Sequence, residues 1–108
     1  MRLRDRRSDR RYGRVHISGP SMVPTLRSGD DVLVRYGAQI TTGNVVLARY
    51  RSMPDRYVVK RTLRRENGGW IVGSDNPFAG GDSATHGVAD VVAKVILRLR
   101  PGIPRRVR

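Results

Sequence analysis

Glycine and proline punctuate this chain at intervals too short for a helical domain. Twelve glycines and six prolines are spread over 108 residues, and the apolar residues between them come in short runs. Val15-His-Ile-Ser18 alternates as a strand. Asp31–Tyr36, Asn44–Arg51 and Arg56–Arg65 are rich in β-branched residues, and each is closed by turn chemistry. Asn67-Gly-Gly69 is a hairpin signal, with Trp70–Val72 beyond it. Fifteen residues, Gly73 to Gly87, read as turns, and Val91–Leu99 closes the domain as a strand, a short helix over 88–93 being the alternative. No stretch sustains a 3.6-residue apolar period of useful length. The pattern predicts an all-β domain of compact, curled, barrel-like sheets.

That domain spans residues 14–100, between a basic arm (1–13) expected to be disordered and a basic tail (101–108). The formal net charge is +13, which favours weak nonspecific contact of the arm with nucleic acid or an anionic membrane. The N-terminus lacks the apolar core of a signal peptide, and Val88–Leu99 is broken by Asp90, Lys94 and Arg98. A bilayer span needs about 20 apolar residues, so a soluble, cytoplasmic protein is expected. With no cysteine and only His16 and His86, disulfides and a thiolate nucleophile are excluded, and neither a metal nor another cofactor is expected.

Two residues stand out as chemistry. Ser21 sits among turn-formers, with Gly19 and Pro20 before it and Pro24 after, where a hydroxyl can stand clear of the backbone. Lys60 follows 39 residues later. Of the 22 basic residues only Lys60 and Lys94 are lysines, leaving 20 arginines, so a lysine here asks for a reason. Arginine keeps its proton in a protein, whereas a desolvated lysine can lose it. Alternation along the strand puts Val58, Lys60 and Thr62 on one face, where burial can lower the amine pKa and make a general base. Lys94 reads as structural. A Ser-His-Asp arrangement drawing on His16 or His86 is the competing serine chemistry, and a snorkelling lysine beside a Ser/Pro/Gly loop is the plain alternative.

Together these segments resemble the serine/lysine peptidases of the type I signal peptidase family. Ser18-Gly-Pro-Ser-Met-Val-Pro-Thr-Leu-Arg-Ser-Gly-Asp30 is similar to its nucleophile box, and Thr42-Gly-Asn-Val-Val-Leu47 to its Gly-Asp-Val-Val box with Asn44 in place of Asp. Val58-Val-Lys-Arg61 is similar to the lysine box, and Gly73-Ser-Asp-Asn-Pro77 with Asp82-Ser-Ala-Thr-His-Gly87 to the last. The resemblance implies Ser21 as nucleophile, Lys60 as general base, and Gly19, Ser21, Met22 and Val58 lining the oxyanion and substrate positions. It also implies Asp75, Asn76, Asp82 and Ser83 as supports of the site. Where some members have a lysine-orienting serine the chain has Gly80, the Arg that usually pairs with the box Asp is Ala84, and Ser74 replaces Gly.

The short, Arg-rich chain looks most like the nickel-type superoxide dismutase maturation proteases. The implied activity is therefore endoproteolytic removal of a flexible N-terminal leader from a precursor, bound extended along Ile17–Gly19 and Tyr57–Val59. General signal-peptide processing is one alternative. A non-enzymatic basic β-barrel that binds nucleic acid is the other, thinly supported with 6% aromatic residues.

Overall fold

The computed structural model describes residues 11–108, so residues 1–10 of the arm expected over 1–13 lie outside the described residues, while Tyr12 and Gly13 belong to a strand rather than to a disordered arm. Among the described residues seven strands and one short helix follow in the order β1 (Tyr12–His16), β2 (Asp31–Tyr36), β3 (Val45–Tyr50), β4 (Val58–Glu66), β5 (Gly69–Gly73), α1 (Ser83–His86), β6 (Ala89–Arg100) and β7 (Arg105–Arg106). All pair antiparallel in one sheet, in the order β1-β2-β6-β3-β4-β5, with β7 on β6. A further pairing, Trp70 with Ala89, brings β5 back to β6 and closes β6-β3-β4-β5 into a small barrel. The expected all-β, curled architecture is what the chain adopts.

Curling needs the strands to bend, and bulges supply the bend. Register slips between Leu33 and Val34 on β2, Leu47 and Ala48 on β3, and Thr62 and Arg64 on β4. β3 is buried on both faces, which explains its unbroken apolar run. Val45 and Leu47 enter one core cluster with Ile17, Met22, Leu26, Val32, Val34, Ala93 and Val95. Val46, Ala48 and Tyr50 enter the other, with Trp70, Val72 and Ala89.

Several boundaries differ from those read in sequence. β1 begins at Tyr12, three residues before the expected strand, and pairs Tyr12–His16 with Arg35–Asp31. Gly13 allows this, because a Cβ there would run into the ring of Tyr36. Residues 89–93 are strand rather than helix, the start of the twelve-residue β6, with Val88 just before it. The tail is not free of the domain: β7 lies beside Leu97 and Arg98, and Val107 N–H donates to Ile96 O at 2.9 Å. No helix among the described residues is long and apolar enough to cross a membrane.

Candidate active site

Ser21 lies in the loop between β1 and β2, and the loop's own apolar residues hold it down. Met22 and Leu26 are fully buried, four residues apart, joined by a Leu26 N–H to Met22 O bond of 2.9 Å. Burying two such side chains is worth several kcal/mol, on the order of 2 kcal/mol each, against the entropy of ordering the loop. The loop's base is closed by Ile17 N–H to Asp30 O and Gly29 N–H to Ile17 O, and the Asp30 carboxylate accepts from Arg27 N–H at 2.8 Å. The Gly19 amide donates to Ser28 Oγ at 3.2 Å, so it is already engaged within the loop. Among the described residues the amides of Ser21 and Met22 have no protein acceptor.

Lys60 is 4% exposed, and Thr62 beside it is fully buried, as the alternation predicts. The two side chains differ in role. Thr62 bonds to Thr41 O and Asn44, tying β4 to the start of β3, whereas Lys60 Nζ reaches Ser74 Oγ at 2.8 Å. Burial pushes the Lys60 pKa down, and the charge of Asp82 partly opposes the shift. Ser21 and Lys60 line the same cleft, of about 590 Å³. Its walls include Gly19, Met22, Val58 and Tyr50, and among the described residues its titratable side chains besides Lys60 are basic or phenolic (His16, Arg56, His86, Tyr50, Tyr57), with no carboxylate. The Tyr50 hydroxyl donates to Gly81 O at 2.7 Å; burial, with the nearby Asp82 charge, pushes its pKa up to about 12.

Neither histidine completes a serine triad. His16 Nδ1 is 2.7 Å from Asp31 Oδ1, and His86 packs on the Tyr50 ring at 5.0 Å; among the described residues neither bonds to Ser21.

The four expected support residues fall into two pairs. Asp75 and Asn76 leave the end of β5 and grip the Ser21 turn: Asn76 N–H donates to Ser21 O at 2.9 Å and its side-chain amide to Pro20 O at 3.1 Å. The Asp75 carboxylate accepts from Thr25 Oγ1 and from both Nε and Nη2 of Arg61, the latter two at 2.7 Å. The Arg61 fork therefore holds the Asp75 carboxyl below the usual carboxylate range. Asp82 and Ser83 instead organise α1. Asp82 caps it by accepting from Ala84 N–H at 3.0 Å, and the buried Ser83 Oγ accepts from Val72 N–H at 3.0 Å, pinning α1 to β5.

The departures noted in sequence now have physical answers. Asn44 Oδ1 accepts from Thr41 N–H at 2.9 Å, a turn bond that an aspartate oxygen makes equally well. Among the described residues Asp82 forms no ion pair in place of the missing arginine; it caps a helix, and the bidentate ion pair sits at Asp75–Arg61. Thr25, Arg61 and Ser74 carry bonds that sequence reasoning did not assign. Only Arg61, adjacent to Lys60 and on the opposite face of the strand, left a signal, and it was masked by the general excess of arginine.

An all-β domain thus sets a serine turn and a buried lysine on one cleft, an arrangement able to support hydrolytic chemistry. The Peptidase S24-like family matches residues 5–96, and the chain belongs to that family. It is also similar to the mitochondrial ATP-independent inner membrane protease subunit 1a of Arabidopsis thaliana, at 40% identity over 77 residues. That match covers 66% of this chain and 45% of the relative, so the chain spans less than half of that protein's length. The family match supports a peptidase reading of the domain.

Proposed function

We propose that the chain is a serine endopeptidase in which Ser21 is the nucleophile and Lys60 the general base, acting on the N-terminal leader of a protein precursor. The observation that carries this reading is a desolvated lysine amine in the cleft that Ser21 lines. Neutral Lys60 takes the Ser21 hydroxyl proton as Oγ attacks the scissile carbonyl, and the resulting ammonium protonates the departing amine. Water, deprotonated by the same amine, then releases the acyl group from Ser21. The Ser21 amide, without a protein acceptor among the described residues, is the donor for the oxyanion; such a donor is typically worth about 3 kcal/mol of barrier.

The substrate has two strand edges to lie against. Among the described residues β1 pairs only with β2, and the edge of Val58–Lys60 away from β3 is uncovered, since β5 pairs from Arg61 onward. A leader entering between Ile17–Gly19 and Tyr57–Val59 gains main-chain bonds as an added strand. The resemblance to nickel-type superoxide dismutase maturation proteases names the first precursor to offer. Cleavage of that precursor at one leader bond by the native chain, and none by Ser21→Ala, read by mass spectrometry of the new N-terminus, is the expected result. Equal cleavage by Ser21→Ala overturns the assignment of the nucleophile. Cleavage only of membrane-targeted signal peptides replaces the substrate and keeps the chemistry.

A further inference from the structure

Three consecutive residues leaving β5 each bond to a different element around the cleft. Ser74 Oγ accepts from Lys60 Nζ at 2.8 Å. Asp75 is clamped by Arg61 and Thr25, and Asn76 holds Ser21 O and Pro20 O. The backbone on both sides of Ser74 is thus fixed, on one side by the Arg61–Gly73 pairing and on the other by the Asp75 and Asn76 bonds. A hydroxyl in such a place is held in a constant relation to the Ser21 turn.

A lysine base needs that kind of partner. Its stem has four rotatable bonds, and a neutral amine reacts only with its lone pair aimed at the proton it removes. Donating one N–H to a fixed acceptor fixes the direction of the lone pair. Position 80, where the resemblance would put a lysine-orienting serine, is Gly80 and carries no hydroxyl. We propose that Ser74 is the positioning residue for Lys60, its hydroxyl holding the amine in register with Ser21 from the end of β5 and so taking over a role that Gly80 cannot fill.

The inference rests on the Ser21/Lys60 reading, and the test separates the two. The full chain, Ser74→Ala, Ser74→Thr, Ser21→Ala and Lys60→Met are compared on an internally quenched peptide with small residues before the scissile bond. Thermal unfolding is recorded for each. Ser74→Ala is expected to lose on the order of 100-fold in kcat with KM little changed. The rising limb of its pH profile moves to lower pH, because loss of the acceptor disfavours the ammonium. Ser74→Thr, which keeps a hydroxyl, recovers most of kcat. Should Ser74→Ala fail to fold, Ser74→Gly, the residue usual in the resembling box, is read in its place. Native kcat and an unmoved limb in a folded Ser74→Ala or Ser74→Gly, with Ser21→Ala and Lys60→Met inactive, overturn the positioning role alone. An active Ser21→Ala overturns the reading beneath it, and with it this one.

Discussion

At the scale of single residues, the decisive contrast is between a lysine and an arginine in the same desolvated spot. Lys60→Arg is expected to be as inactive as Lys60→Met in cleavage of the quenched peptide, because guanidinium keeps its proton whatever its burial. Substantial turnover by Lys60→Arg would reduce the residue to a fixed charge. The Asp75–Arg61 pair makes a separate, stability-based prediction. Its side chains are only 15% and 23% exposed, so Asp75→Asn should cost about 2 kcal/mol at neutral pH, measured by urea unfolding. The sign of the pH dependence follows from a folded pKa held below the unfolded value of about 3.9. The stabilisation is present above that value and is lost as pH falls through the lower folded pKa. The native and Asp75→Asn curves should therefore converge in acid; a constant gap would mean that the carboxylate charge is not what matters.

At the scale of elements, strand patterning was legible where burial alternates and lost where it does not. Val58, Lys60 and Thr62 share a face of β4 as read, because one side of that strand faces the interior. β7 escaped notice because Arg105–Arg106 carries no apolar pattern; only backbone pairing to β6 defines it. α1, four residues long, is shorter than any period can reveal, although the Asp82 cap was in plain view. The bonds that brace the site, Lys60–Ser74 and Arg61–Asp75, span 14 residues through a bulged β4–β5 pairing, and a register slip of that kind leaves no trace in sequence. The Ser21 turn, by contrast, depends on its own buried residues. Leu26→Ala should cost about 3 kcal/mol and reduce cleavage together with stability, whereas Leu63→Ala at the exposed end of β4 should cost under about 1 kcal/mol and leave kcat unchanged. Equal effects in thermal unfolding and turnover would show that the turn is held by something other than its core anchors.

At the scale of the whole molecule, composition and mechanism are separable. The +13 charge comes almost entirely from arginine, which supports association with polyanions but supplies no base. Binding to single-stranded DNA, read by fluorescence anisotropy, should weaken steeply between about 50 and 200 mM salt, while turnover of an uncharged peptide changes little. Tight binding that ignores salt would instead indicate a built nucleic-acid site. The same scarcity of lysine makes the central claim directly observable. With Lys60 and Lys94 as the only lysines, a sample labelled with ¹³Cε-lysine gives two side-chain signals, to be assigned by Lys60→Met. Their pH titration is the measurement that matters most. The account predicts that Lys60 loses its proton below the ordinary lysine value of about 10.4, at the pH where the cleavage rate of the native chain rises. A Lys60 signal that titrates at the ordinary value, with the rate rising elsewhere, would contradict it.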